Sequence, residues 1–217
     1  MIGENSTATG VILAGGQSRR FGGEEKALID LCGRPMLGHV VARVGRQVPR
    51  LVINANGDPS RFAAFGLPVI ADSVAGFAGP LAGILAGMQW SLLTAPHAGA
   101  ILTVPADAPF LPLDLVTRLR EAVAKRPKTI ALASTCGQVH YVAGLWPLAV
   151  MDQIASALER GEHAVMRFTA AHDTVPVPFP LGAIGGESVD PFFNVNTPAD
   201  LEKARGLILG PVTKEGI

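Results

Sequence analysis

The sequence has no net charge, because its 217 residues include 18 lysines and arginines and 18 aspartates and glutamates. A chain with this balance has no broad electrostatic attraction for nucleic acid or for an anionic membrane surface. We therefore expect neither as a partner. Local cations are expected to act at a site, on a ligand that they contact.

Cysteine is scarce, and the marks of a secreted chain are missing. Cys32 and Cys136 are the two cysteines, far apart and outside any CxxC pair. Such cysteines are typical of buried or free thiols in a reducing compartment, with a disulfide or a metal pair as the alternative. The first ten residues have no basic residue and no apolar core, unlike a signal peptide.

Charged residues are absent from residues 73–106, which gives this stretch some likeness to a membrane span. A spanning helix needs about twenty continuous apolar residues. Turn-forming and polar residues interrupt this run: Gly76, Gly79, Pro80, Gly83, Gly87, Gln89, Pro96 and His97. The stretch therefore predicts loops, a buried helix and a buried strand, and we expect a soluble, cytoplasmic protein without a membrane partner.

Two familiar phosphate-binding strings are also missing, namely the P-loop G-x-x-x-x-G-K-[ST] and the dinucleotide fingerprint G-x-G-x-x-G. A different glycine-rich stretch is present, TGVILAGGQSRRFGGEEK, with glycine pairs at residues 15–16 and 22–23. Backbone without Cβ atoms can approach an anion, and Arg19, Arg20 and Lys26 can neutralise its charge. The stretch predicts a polyphosphate loop; the alternative is a solvated turn with ordinary surface cations.

Short apolar strands alternate with helices in the first third of the chain. The strands are predicted at residues 10–14, 51–53 and 67–71. One helix is predicted from Pro35 to an end near residues 45–49, and a short one at residues 59–65. This βαβαβ alternation is typical of a doubly wound sheet. We predict an α/β fold, a Rossmann-like three-layer α/β/α arrangement around a mostly parallel twisted sheet, in a single domain spanning residues 1–217.

The same patterns predict the later elements. These are a helix from residue 79, a strand at 100–104, a helix at 112–125, strands at 129–134 and 138–146, helices at 148–159 and 163–171, and a last helix that begins after Thr197. Residues 175–186 are rich in proline and glycine, and they predict loops with at least one short strand.

Polar side chains follow three of the predicted strands. In doubly wound sheets, ligands bind beyond the carboxyl ends of the strands, so Asn54 and Asp72 are candidates for one site with the glycine-rich loop. Asp107 follows a buried strand between Pro105 and Pro109, where it suits a divalent cation such as Mg²⁺. The alternatives are a turn residue for Asn54, a loop cap for Asp72 and a helix N-cap for Asp107.

Two further patterns have both a structural and a functional interpretation. Glycines at 79, 83 and 87 form a stripe without Cβ atoms on one helix face, which permits close approach of a ligand or tight packing on the sheet. Asn194 and Asn196 alternate on one face of an extended stretch. Thr197 and Asp200 are explained by capping of the last helix, but the two asparagines are not.

Four strings together resemble the molybdenum cofactor guanylyltransferases, which are nucleotidyltransferases with a GT-A-like fold. They are LAGG-x-SRR-x-GG-x-x-K at residues 13–26, GPLAG at 79–83, PADAPF at 105–110 and FFNVNTPADL at 192–201. His140 is similar in position to the family's histidine ahead of an apolar strand. Tyr141 stands where a proline often follows that histidine, and this departure puts the role of His140 in doubt.

The resemblance implies transfer of GMP from GTP to the phosphate of molybdopterin, or of the molybdenum cofactor, with release of pyrophosphate. It implies a nucleotide-binding half at about residues 8–110 and an acceptor-binding half at about 111–210. Arg19 and Lys26 would neutralise phosphate charge, and Asp107 would hold Mg²⁺. The implied nucleotide-binding residues are Leu13, Ala14, Gly15, Gly16, Lys26, Asn54, Asp72, Gly79 and Asp107, and the implied acceptor-binding residues are Asn194, Asn196 and His140.

Partners implied by the resemblance are GTP, molybdopterin or the molybdenum cofactor, and proteins that deliver the cofactor or mature molybdoenzymes. Two rival functions remain open. One is the same fold acting on CTP or on a sugar phosphate, and the other is a non-catalytic nucleotide-binding module. The joint presence of Arg19, Lys26 and Asp107 favours an enzyme, because a binding module has no need for a metal carboxylate.

Overall fold

The computed structural model describes residues 8–15, 25–74 and 79–210. In these residues, seven strands form one sheet in the spatial order β3-β2-β1-β4-β6-β5-β7, and a separate hairpin pairs β8 with β9. The strands are β1 Ala8–Leu13, β2 Leu51–Asn54, β3 Val69–Ile70, β4 Ala100–Pro105, β5 Ile130–Thr135, β6 Gln138–Pro147, β7 Thr174–Pro178, β8 Gly182–Ile184 and β9 Glu187–Val189.

The main sheet is mostly parallel, as predicted. Strand β1 runs parallel to both β2 and β4, and β5 runs parallel to β7. Strand β6 is antiparallel to both of its neighbours, β4 and β5. A tight turn at Cys136 and Gly137, both with positive φ of 50° and 81°, reverses the chain between β5 and β6.

Six α-helices lie among the described residues: α1 Met36–Val44, α2 Pro80–Thr94, α3 Leu115–Val123, α4 Met151–Glu159, α5 Val165–Ala170 and α6 Pro198–Leu209. The segment Pro59–Phe65 is a 3₁₀ helix, which Asp58 caps and Gly66 ends with a φ of +63°. The predicted helix at 112–125 is shorter than expected. The predicted loop at 175–186 contains most of β7 and all of β8.

The sheet is covered on both faces, which explains its uncharged strands. Alternate residues of β1 enter different clusters, with Ile12 packing among α1 and α3 side chains and Val11 among α2, α4 and α5 side chains. This arrangement confirms the predicted three layers. No helix within residues 8–15, 25–74 and 79–210 combines the length and the hydropathy needed to cross a membrane.

The two cysteines are free thiols, as the sequence predicted. Cys32 is partly buried, with its Sγ 3.9 Å from the carbonyl oxygen of Arg205, whereas Cys136 is exposed in the β5–β6 turn. The alternative of a disulfide between them is therefore wrong.

The glycine stripe of α2 packs against the sheet. A Cβ atom at Gly83 would lie 2.3 Å from Asn54 Oδ1, and one at Gly87 would lie 2.6 Å from Val11 Cγ2. Gly79 precedes the helix with a φ of +73°. Of the two interpretations, tight packing on the sheet explains Gly83 and Gly87. The absence of a Cβ atom at Gly83 also leaves the space that the side chain of Asn54 occupies.

Alanine at position 83 is expected to lower the free energy of unfolding by about 1–3 kcal/mol, the usual cost of forcing an atom into a packed interior. Urea unfolding measures this change. The matched control is Gly206→Ala in α6, where no heavy atom lies within 4 Å of the added Cβ. That variant is expected to be neutral or up to about 1 kcal/mol more stable, because alanine favours helix. Equal stability of both variants would contradict the packing argument.

Candidate active site

A cleft of about 180 Å³ opens at the carboxyl ends of β1, β2 and β4, the edge at which parallel strands present their loops. Eight of the residues proposed above for nucleotide binding line it together: Leu13, Ala14, Gly15, Lys26, Asn54, Asp72, Gly79 and Asp107. Gly16 and Arg19 lie outside the described residues. The sheet thus brings together side chains that are far apart in the sequence.

The Lys26 ammonium lies between two side-chain oxygens at one side of this cleft. Its ammonium group donates to Asp107 Oδ2 and, at 2.8 Å, to Asn196 Oδ1. The side chains of Lys26 and Asp107 are 23% and 16% exposed, so the ion pair is only partly screened by water. The arrangement shows that a cation fits between Asp107 and Asn196.

The segment that carries Asn194 and Asn196 is held by a backbone hydrogen bond at Val195, which lies between the two asparagines, and by the cap of α6 that follows. The Val195 amide donates to the Asp107 carbonyl at 2.9 Å. The predicted cap of α6 is present as a capping box, in which the Thr197 side chain accepts from the Asp200 amide while the Asp200 carboxylate accepts from the Thr197 amide. The Oδ1 atom of Asn194 is buried and has no hydrogen-bond partner among the described residues. The stretch that contains both asparagines therefore lies next to the loop of Asp107.

Asp72 is held by two amide side chains. Asn54 Nδ2 donates to Asp72 Oδ1 at 3.0 Å, and Asn56 Nδ2 donates to Asp72 Oδ2 at 2.7 Å. Asn56 Oδ1 in turn accepts from the Asp72 amide at 2.9 Å. Asn56 was not among the predicted site residues. Its spacing of two residues from Asn54 was the available signal, because both residues follow the same strand.

A carboxylate and an amide oxygen around one cation position suit Mg²⁺, which uses few protein ligands and completes its shell with water and phosphate oxygens. The structure offers such a pair in Asp107 and Asn196, with the Lys26 ammonium between them. No group of three or more His, Cys, Asp or Glu side chains suited to a metal occurs in the described part of the chain. The residues therefore fit a metal that is shared with a phosphate ligand.

His140 does not line this cleft. Its ring stacks on Phe192 with a centroid separation of 4.6 Å, and its Nε2 lies 3.2 Å from Thr135 Oγ1 and 3.6 Å from Asp190 Oδ2. These contacts provide a structural role for the side chain. Its proposed role towards the acceptor stays a prediction.

The pH dependence of stability reports on His140. Burial lowers the pKa of His140 from its ordinary value of 6.5, and the Asp190 carboxylate offsets part of this shift. Below about pH 6.5, His140 therefore binds more protons in the unfolded chain than in the folded protein. The stability that the neutral His140 ring contributes is present above that pH and is lost as the pH falls towards the pKa of the folded protein.

The free energy of unfolding of wild type is therefore expected to fall as the pH is lowered from about 7.5 to about 5.5. In His140→Gln this fall is expected to be smaller by up to about 1 kcal/mol. Urea unfolding at both pH values measures the difference. Asp190→Asn removes the offsetting charge and is expected to steepen the slope. Equal slopes in wild type and His140→Gln would show that this residue does not contribute.

A mostly parallel α/β sheet, with a lysine, two carboxylates and an amide side chain lining a cleft at the carboxyl ends of its strands, is the arrangement of a nucleotidyltransferase-type protein. A family model described as "MobA-like NTP transferase domain" matches residues 10–175. The chain belongs to this family, and within it to the molybdenum cofactor guanylyltransferases, as the relatives below show.

Several relatives are named molybdenum cofactor guanylyltransferase, and two of them illustrate the similarity. The protein from Bradyrhizobium sp. (strain ORS 278) is 46% identical over 209 residues, which cover 95% of this chain and 96% of that protein. The protein from Mesorhizobium japonicum is 46% identical over 200 residues, which cover 92% and 95%. These similarities confirm the family resemblance that the four strings indicated.

Solved structures confirm the predicted fold class. The structure of molybdopterin-guanine dinucleotide biosynthesis protein A from Archaeoglobus fulgidus matches with a TM-score of 0.69 at 21% identity, covering 91% of this chain and 96% of that chain. The structure of 4-diphosphocytidyl-2C-methyl-D-erythritolsynthase from Anaerococcus prevotii matches with a TM-score of 0.68 at 13% identity, covering 95% and 97%. At these identities the likeness concerns the fold alone.

Proposed function

We propose that this protein transfers GMP from GTP to the terminal phosphate of molybdopterin, or of the molybdenum cofactor, and releases pyrophosphate. The observation that carries the proposal is the cleft lined by Lys26 and Asp107, where Lys26 also contacts Asn196, in a chain 46% identical to proteins named for guanylyl transfer. The substrates are proposed from those names, and the chemistry from the residues.

The reaction needs no strong general base, because the acceptor phosphate is already an oxyanion. One of its oxygens attacks the α-phosphorus of GTP and forms a new P–O bond. The bond from that phosphorus to the oxygen bridging the α- and β-phosphates breaks, and pyrophosphate leaves with the electron pair. Catalysis then consists of in-line positioning and charge neutralisation. The Lys26 ammonium neutralises charge on the triphosphate and on the leaving pyrophosphate, together with Arg19 as the sequence suggests.

Asp107 and Asn196 are the residues proposed to hold Mg²⁺. When bound, the ion would supply positive charge against the α-phosphate and its developing negative charge. Lys26 would then turn from Asp107 towards the phosphates. A single carboxylate suffices for this task, since phosphate oxygens and waters complete the metal shell.

The nucleotide is proposed to lie along residues 13–15, with Asn54 and Asp72 contacting its base or ribose. Backbone hydrogen bonds at the end of β1 determine which of its amides can bind a nucleotide. The Ala14 amide already donates to the Asn54 carbonyl at 2.8 Å, so this group joins β1 to β2 and is engaged before a nucleotide arrives. Gly15, at the edge of the cleft, is the proposed backbone contact for the nucleotide.

Pyrophosphate release tests the proposed function. The pure protein is incubated with Mg²⁺, each of the four nucleoside triphosphates in turn, and molybdopterin on a carrier protein. Release with GTP alone supports guanylyl transfer. Release with CTP would retain the mechanism but change the substrate, and binding of GTP without release would favour a nucleotide-binding module. Delivering proteins, recipient molybdoenzymes and the cytoplasmic location stay predictions.

A further inference from the structure

We infer that Asn56 is a positioning residue for nucleotide selection, which orients the Asp72 carboxylate so that it accepts a pair of adjacent donors from the nucleoside. The inference rests on the proposed function. It concerns a residue that contacts Asp72 and does not itself line the cleft.

Asn56 fixes Asp72 at two points at once. Its amide nitrogen donates to Asp72 Oδ2 at 2.7 Å, and its amide oxygen accepts from the Asp72 backbone amide at 2.9 Å. A side chain bound through both its carboxylate and its own backbone amide has little freedom to rotate. Asn54, which is 3% exposed, holds the other oxygen, Oδ1, at 3.0 Å. The carboxylate plane is therefore set by two amides from one strand end.

This arrangement determines what Asp72 can still accept. A carboxylate offers about four lone-pair sites, and the two asparagines use one on each oxygen. One site per oxygen remains for a ligand in the cleft. Two parallel acceptor sites suit two adjacent donors, such as N1–H and the 2-amino group of guanine, or the vicinal hydroxyls of ribose. Cytosine has no such pair of adjacent donors on its pairing edge.

Asn56 is itself anchored to the segment that carries Lys26. The Arg61 guanidinium donates to the Asn56 carbonyl at 2.6 Å and to the Asp58 carbonyl at 2.9 Å, and it also pairs with Glu25. Glu25 directly precedes Lys26. The Arg61 guanidinium thus connects the loop after β2 with the residue next to Lys26.

The test measures nucleotide binding by calorimetry in the presence of Mg²⁺. Three nucleotides are compared: GTP, ITP, which lacks the 2-amino group, and 2′-deoxy-GTP, which lacks one ribose hydroxyl. Wild type is expected to discriminate against the analogue that lacks the donor bound by Asp72. Asn56→Ala is expected to weaken GTP binding by about ten- to hundredfold and to lose most of that discrimination. Asn56→Ser, which cannot span both contacts, is expected to do the same if the alanine variant folds poorly.

A double-mutant cycle identifies the route of the effect. If Asn56 acts through Asp72, then Asn56→Ala is expected to cost nothing further in an Asp72→Ala background. Ser73→Ala, a change at the exposed neighbour of Asp72, is the matched control and is expected to bind all three nucleotides as wild type does. Thermal unfolding of each variant verifies that it is folded.

The inference is overturned if Asn56→Ala weakens binding of all three nucleotides equally, if its cost adds fully to that of Asp72→Ala, or if wild type discriminates against neither analogue. A failure of the proposed function is distinguishable, because wild type would then bind no GTP or release no pyrophosphate with GTP and acceptor. Loss of discrimination against ITP would assign Asp72 to the base. Loss of discrimination against 2′-deoxy-GTP would assign it to the ribose, and either result supports the role of Asn56.

Discussion

Replacing Asp107 by alanine is expected to lower the rate of pyrophosphate release by about a thousandfold or more, because the variant loses the carboxylate that pairs with Lys26 and that is proposed to hold the metal ion. The fold is expected to persist. The structural contact of this residue is its backbone carbonyl, which accepts from the Val195 amide, and alanine keeps that carbonyl. Loss of the partly exposed ion pair with Lys26 is expected to cost about 1 kcal/mol or less.

Two measurements separate the metal assignment from a general loss of activity. Binding of Mn²⁺, followed by electron paramagnetic resonance with GTP present, is expected to weaken together with turnover in Asp107→Ala. Asp114→Ala is the matched control, since Asp114 is exposed and forms no side-chain cap of α3, and its turnover is expected to equal that of wild type. Turnover near the wild-type value in Asp107→Ala would exclude Asp107 as the metal ligand.

Replacing Lys26 by methionine is the change with the second largest expected effect. Methionine keeps a long apolar stem but removes the ammonium group that donates to Asp107 and Asn196. Turnover is expected to fall by about a hundredfold or more, because the charge that stabilises the leaving pyrophosphate is gone. GTP binding is expected to weaken as well, since the phosphate chain loses one of the cations that neutralise its charge.

A second measurement on the same variant tests the position of Lys26 between the two oxygens. Without nucleotide, Mn²⁺ is expected to bind Lys26→Met more tightly than wild type, because the ammonium no longer competes for Asp107 and Asn196. Lys26→Arg is expected to keep part of the turnover, and the exposed Lys125→Met is the matched control with no change expected. Unchanged turnover in Lys26→Met, or weaker metal binding without nucleotide, would contradict the assigned role.

Local patterns were enough to predict most elements of this protein. The uncharged strands at β1, β2 and β4 lie close to their predicted positions, because burial on both faces of a parallel sheet favours uncharged and mostly apolar residues. The cap of α6 was predicted in detail, since a threonine, a proline and an acidic residue at this spacing satisfy the first amides of a helix without any distant contact.

The boundaries of the elements and the pairing of the strands were harder to predict from the sequence. The helix predicted at 112–125 begins only at Leu115, and the proline-rich segment after residue 174 adds β7 beside β5. The turn between β5 and β6 requires positive φ at Cys136, a conformation that cysteine rarely adopts. These features depend on pairing with the rest of the sheet, and such pairing has no signature in a short stretch of sequence.

The sequence by itself determined the layered α/β fold, the family and the candidate residues at the strand ends, because each of these depends on local patterns or on strings that can be compared directly. Only the tertiary structure decided how those residues combine. Lys26 and Asn196 are 170 positions apart, and Asn56 and Asp72 are 16 apart with one strand between them. Hydrogen bonds over such separations form only when the sheet and its loops pack, so their geometry is a property of the folded chain.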